Sequence, residues 1–189
     1  MMTKPLARDE LWDIAIAQHG FVTAQQAAET GIGKHAVQML VHRNTLERAA
    51  RGVYRFPQYP AGEHDALMLA VLWTRVPEAA LSHETALNVY SISDVNPNLI
   101  HVTVSRRRRF RRADGGDYAI HHEDLAPQQI GWWEEIPTVT PATAIAQCLA
   151  YGTQTHLLRQ AIERGRARGL LKTTESNVLA KRLEARHEQ

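Results

Sequence analysis

Helical spacing of apolar residues dominates the first part of the chain. Leu11, Ile14, Ala15 and Gln18 follow i, i+3, i+4, i+7 with three apolar members, which predicts an amphipathic helix over residues 7–18, ended by Gly20. Thr23 with Gln26 three positions on is a capping-box pattern, so a short helix is expected over 24–30, and Ala27 and Ala28 leave room for a crossing helix. Gly31-Ile32-Gly33 supplies a tight turn with an apolar plug. Val37, Leu40 and Val41 then give a third helix, 34–44, one buried stripe. This is helix–turn–helix spacing. Two strand-like runs, Leu46–Arg48 and Val53–Phe56, flank Ala49-Ala50-Arg51-Gly52 and read as a hairpin, the wing of a winged domain.

Pro57, Pro60 and Gly62 mark a linker. Beyond it Leu67–Trp73 predicts a mostly buried helix stopped by Pro77, and Ser82 is a good cap for a helix carrying Ala86, Leu87 and Tyr90. Alternation takes over in Leu99–Ser105 and again in Tyr118–His122. With Asp114-Gly115-Gly116-Asp117 between them, the two runs read as a β-hairpin. Thr140 before Pro141 opens a helix with Ile145, Cys148 and Leu149 on its buried side, closed by Gly152. Two further helices carry Leu157, Leu158, Ala161 and Ile162, then Val178, Leu179 and Leu183. The fold class expected is α+β: a winged helix-turn-helix domain over 1–56, then a mixed α+β domain over 63–189 with a β-hairpin and C-terminal helices.

The size, 189 residues, suits one full domain or two small ones. A hydrophobic share of 44% excludes a disordered or fibrous chain. The longest apolar stretch, Ala66–Trp73, is too short to span a membrane, and Met1–Asp9 lacks a signal-peptide core, so a cytoplasmic protein is expected. The single cysteine, Cys148, can form neither an internal disulfide nor a paired-cysteine zinc site. Net charge is only +2, but it is unevenly spread. Residues 1–56 carry seven Lys/Arg against five acids, and six arginines crowd into Arg106–Arg112 around Phe110.

These patterns suggest a partner. With the apolar stripe of the third helix turned inward, Lys34, His35, Gln38, Met39 and His42 lie on the other side, near where a recognition helix meets base edges. Gln38 suits a bidentate pair with adenine, and Lys34 suits guanine or a phosphate. Arg43 at the helix end, and Arg48, Arg51 and Arg55 on the wing, complete the expected contact set for double-stranded DNA. A winged domain used for protein contacts is the alternative. The run Arg106, Arg107, Arg108, Arg109, Arg111 and Arg112 is expected to face DNA phosphates, with an acidic protein patch or plain solvation as the other readings. His83-Glu84 and His121-His122-Glu123-Asp124 carry metal-ligating types. Alternation sends His121 and His122 to opposite faces and His83 opens a helix, so no catalytic residue, metal or cofactor is expected. Trp132-Trp133 beside Glu134-Glu135 is expected in a loop, one indole in the core and the other exposed. Arg159, Arg164, Arg166, Arg168, Lys181 and Arg182 of the last helices read as a solvated face or a docking surface.

In order along the chain, Gly20-Phe21-Val22-Thr23, Gly31-Ile32-Gly33, Leu40-Val41, Leu46 and Arg51-Gly52-Val53-Tyr54 resemble the N-terminal domain of AbiEi-type antitoxins of type IV toxin–antitoxin systems. Ala80–Leu87, Ile100–Val104 before the arginines, and Ile136–Ala144 continue the resemblance over most of the chain. It implies an antitoxin that represses its own operon, neutralises a cognate nucleotidyltransferase-like toxin and serves phage defence; the operator reading itself adds an expectation of self-association on inverted repeats. After Thr143 the chain departs from that pattern. An Arg-Thr-Leu-Leu-Asp-like helix start is expected there, whereas Thr143-Ala144-Ile145-Ala146-Gln147-Cys148 lacks both the arginine and the aspartate. Two other readings remain from the residues themselves: a stand-alone regulator with a sensing or dimerising second domain, and a metal-dependent nuclease.

Overall fold

The computed structural model describes residues 6–107 and 116–186. The chain divides into two compact units, Met1–Pro77 and Glu78–Gln189. The first runs α1 (Ala7–Ile16), β1 (Phe21–Thr23), α2 (Ala24–Glu29), α3 (Lys34–His42), β2 (Glu47–Ala50), β3 (Val53–Arg55) and α4 (Asp65–Thr74).

Its core is the one the periodicity calls for. Leu11, Ala15, Val22, Ala27, Ile32, Val37, Leu46 and Phe56 are buried together, and Trp12 meets Phe56 edge-on at 5.0 Å. The Thr23–Gln26 capping box forms, with each residue's side chain taking the other's backbone N–H (2.9 and 3.1 Å). Gln18, the polar member of the first stripe, exchanges hydrogen bonds with Gln26 (2.9 and 3.3 Å) and so ties α1 to that cap. β2 and β3 pair antiparallel with an irregularity between Arg48 and Ala50, and Gly52 turns the chain at φ +78°. β1 pairs along the other side of β3, giving the sheet order β1-β3-β2.

The linker expected at 57–62 is not where the units part. α4 packs on β1 and β3, and Asp65 at its start accepts a hydrogen bond from Arg55 at 3.1 Å, so the helix assigned to the second domain belongs to the first unit.

The second unit comprises β4 (Ala80–Leu81), α5 (His83–Val89), β5 (Ile100–Val104), β6 (Tyr118–His122), a 3₁₀ turn at Pro127–Gln129, β7 (Ile130–Trp133), β8 (Ile136–Val139), α6 (Pro141–Tyr151), α7 (Thr155–Ala167) and α8 (Thr173–Ala185). One mixed sheet, ordered β6-β5-β4-β8-β7, carries it. Ala86, Leu87, Ile92, Val139, Ile145, Leu158 and Leu179 are among the buried core residues.

One expectation is overturned here. β5 and β6 are parallel, Ile100 opposite Tyr118 and Val104 opposite His122, and so are not a hairpin. β5 is buried on both faces from His101 to Val104 although its sequence alternates; alternation carries no information about direction, and the stretch from Ser105 to Asp117 is long enough for a parallel return. The hairpin of this unit is β7–β8. Glu134 and Glu135 turn it at φ 44° and 63°, so Trp132 and Trp133 are strand residues, not loop residues. Trp132 is 73% exposed and Trp133 half-buried. Thr140 caps α6 by accepting the Thr143 N–H (3.4 Å), and Gly152 closes it in the left-handed conformation.

Candidate functional site

In the first unit, the third helix and the wing present the polar groups. Val37 is buried, whereas Lys34, His35, Gln38, His42 and Arg43 of α3 and its end are exposed and Met39 is half-buried. Gly33 caps α3 and so makes no side-chain hydrogen bond to the first backbone N–H groups of the helix, which stand beside Lys34 and His35. On the wing, Arg48 and Arg51 are exposed.

Arg55 behaves differently. Its guanidinium, 17% exposed, pairs with Asp65 at 3.1 Å, donates to the carbonyls of Tyr59 and Pro60 (3.0 and 3.1 Å) and lies 5.6 Å from the centre of the Phe21 ring. Expected on DNA, it instead clamps α4 and the loop before it to the sheet. Another basic residue, Arg75, comes near the wing instead. The Cδ of Arg75, just past α4, lies 3.4 Å from where a Cβ on Gly52 would sit. Arg75 falls beyond the expected linker, so only the return of α4 to the sheet reveals it.

In the second unit three histidines converge. His83 opens α5, His101 sits on β5 and His121 on β6, and one ring nitrogen from each lies within 4.8 Å of the others. Thr103 pairs with His121 and His101 with Ala119 across the parallel strands. His101 Nδ1 and His121 Nε2 are 2.9 Å apart. The His83 ring stacks on His121 with centroids 3.6 Å apart, and Tyr151 stands edge-on to all three rings. His83 Nδ1 meets Ser82 Oγ at 3.0 Å.

Gln147 of α6 braces the cluster. Its Oε1 accepts the His83 backbone N–H (3.3 Å) and its Nε2 donates to Glu123 (2.7 Å). Burial first, then repulsion from the neighbouring imidazoles, holds His83 down at about 3 and His121 at about 4, and burial also lowers His101 against the opposing pull of Glu84. At neutral pH the His83 and His121 rings are uncharged. His122, as alternation requires, is exposed on the other face.

No local pattern marks this cluster: the parallel register that sets His101 beside His121 has no signature in the neighbouring sequence. Cys148 is buried, its thiol pushed up by burial to about 12, which leaves it a poor nucleophile.

Residues 9–57 match the family described as "Transcriptional regulator, AbiEi antitoxin". The N-terminal segment is AbiEi-like. The match covers α2, α3 and the wing, and includes the Arg51-Gly52-Val53-Tyr54 run that carries the resemblance most strongly. No curated protein matches the chain. Among solved structures, that of the RV2827C protein from Mycobacterium tuberculosis aligns at 14% identity over 95% of this chain and 82% of that one, with a TM-score of 0.41. Among the described residues no helix is long and apolar enough to cross a membrane.

Outside the AbiEi-like segment, the arginine run is described only in part. Arg106 and Arg107 are exposed, and Arg108, Arg109, Arg111 and Arg112 lie outside the described residues. Asp124, brought alongside by the β5–β6 register, accepts from Ser105 Oγ (2.7 Å) and the Arg106 N–H (3.0 Å). These bonds, and the two arginines behind them, hold its carboxyl below the usual range. On α7, Arg164 pairs with Asp94 through two contacts (2.6 and 3.1 Å) and Arg168 donates to the Tyr90 and Ser91 carbonyls. Those two arginines pin α7 to the loop after α5.

Proposed function

We propose that this protein is a cytoplasmic antitoxin and transcriptional autorepressor, whose first unit binds operator duplex and whose second unit neutralises a cognate nucleotidyltransferase-like toxin. The observation that carries the DNA-binding half is the exposed polar face of α3, Lys34, His35, Gln38 and His42, beside a wing with exposed Arg48 and Arg51. The family match over the same residues supports it. A helix whose N-terminal turn projects a lysine, a histidine and a glutamine fits the major groove, where Gln38 reads adenine and Lys34 addresses guanine or phosphate. Arg48, Arg51 and Arg75 hold the backbone, Arg43 extends the contact, and the arginines from Arg106 onward add phosphate contacts. Arg55 is left out of the interface because its charge is met internally. The toxin half rests on the resemblance of the later segments to AbiEi-type antitoxins. Self-association on inverted repeats accompanies the operator reading.

The test is fluorescence anisotropy with a duplex from upstream of the protein's own reading frame, at several salt concentrations. Gln38→Ala is expected to cost about 1–3 kcal/mol on the preferred site and to relax preference at one position. Arg51→Ala is expected to weaken all duplexes alike and flatten the salt slope by about one. Wild-type affinity, preference and slope in both variants would remove the DNA-binding reading. A stand-alone regulator with a sensing second unit is the second reading; the buried histidine cluster favours it, and it requires no toxin.

A further inference from the structure

We propose that the second unit binds a divalent transition-metal ion, of the kind imidazole nitrogen prefers, where His83, His101 and His121 converge. The three side chains come from a helix start and two strands far apart in sequence, yet bring one nitrogen each within 4.8 Å of the others. That spread is within reach of a common ion, since zinc-to-imidazole bonds of about 2.0–2.1 Å put neighbouring ligand atoms roughly 3.3 Å apart. His101 Nδ1 and His121 Nε2, at 2.9 Å, already face each other and need open by only a few tenths of an ångström. Between two imidazoles in that arrangement a single proton is shared. A cation in its place accepts both lone pairs.

The surroundings are those of a held ligand set. Ser82 Oγ engages His83 Nδ1, which leaves Nε2 as the coordinating atom and fixes the ring, as partners behind a metal-bound histidine do. His83 itself sits at φ +50°, a left-handed conformation that a histidine adopts only at a cost, and one that turns its ring onto His121. His101 is held through its backbone N–H by the Thr85 hydroxyl (2.8 Å). Glu84, anchored by Thr153 at 2.7 Å, supplies negative charge that acts on His101. Tyr151 closes one side of the cluster, edge-on to all three rings. Three neutral nitrogens and no thiolate among them select zinc, cobalt, nickel or copper over the oxygen-seeking magnesium and calcium. The inference stands on the second unit alone and holds whichever reading of the first unit is right.

The experiment is a Co(II) titration of the untagged full chain after chelator treatment, followed by visible absorption and then by Zn(II) displacement. One equivalent of Co(II) is expected to develop d–d bands, and Zn(II) to abolish them and raise the melting temperature. His121→Gln, at the half-exposed edge of the cluster, is expected to lower affinity at least about 100-fold, whereas His122→Gln on the opposite face leaves it unchanged. A readout that needs no variant is the histidine ring ¹⁵N spectrum. Zn(II) is expected to move the signals of three of the ten histidines. No d–d bands and no ring shifts in folded wild-type protein, or binding that survives His121→Gln undiminished, would overturn the proposal.

Discussion

Protonation of the histidine cluster is opposed by burial and by the mutual proximity of the rings, and this has a consequence for stability. His83 takes up a proton only at about 3 and His121 at about 4, against 6.5 when unperturbed. Between those limits the unfolded chain binds more protons than the folded one, so the cluster's contribution is complete above pH 6.5 and is lost as pH falls toward 4 and then 3. His101 acts in the same direction, while Glu84 opposes it and His122, facing solvent, adds like charge to His121. In metal-free protein the urea midpoint is therefore expected to fall on acidification from pH 6.5 to 4, and the fall to be shallower in His121→Gln. Circular dichroism at a series of pH values checks this; superimposable profiles would contradict it. None of this was legible locally. Each histidine was visible in the sequence, and alternation correctly separated His121 from His122, but the partners lie on other elements.

At the scale of elements, turns show how backbone geometry and packing divide the work. Gly20 and Gly31 both sit at positive φ, +83° and +81°. A Cβ at Gly20 would lie 2.6 Å from Tyr59 Cβ, whereas at Gly31 it would meet nothing within 4 Å. Gly20→Ala therefore adds overpacking to the conformational cost and is expected to destabilise the first unit by about 2–4 kcal/mol. Gly31→Ala is expected to cost only about 1–2 kcal/mol. Urea unfolding of both variants measures the difference, and equal losses would refute the packing argument. Elements with a chemical start signal were readable: the Thr23–Gln26 box, Thr140 before Pro141, and the glycine turn before α3. The direction of β6 relative to β5 was not, because a strand's alternation is the same either way along.

For the whole molecule, two cores within one chain predict separable behaviour. The first unit buries Leu11, Val22, Leu46 and Phe56 together, and the second buries Leu87, Ile145, Leu158 and Leu179. Residues 1–77 produced alone are expected to fold and shift operator DNA. Residues 78–189 produced alone are expected to unfold cooperatively on heating and to protect cells co-expressing the toxin from the adjacent reading frame. A fragment ending at residue 62 is expected to be less stable, since it loses α4 and the Asp65 partner of Arg55. Circular dichroism and gel shifts on the three fragments, with growth of the co-expressing cells, decide the matter; a 1–62 fragment as stable as 1–77 would place the boundary at the prolines after all.

The sequence by itself determined the helices, the strands β2, β3, β5 and β6, the inward stripe of α3 and the polar face opposite it. Those follow from periodicity and capping, which act over a few residues. Tertiary structure alone decided that α4 joins the first unit, that Arg55 is spent on Asp65, that Arg75 reaches the wing, and that His83, His101 and His121 meet. Contacts of that kind depend on sheet order and register, and these are set by the sum of many weak burial terms over the whole chain rather than by any local pattern.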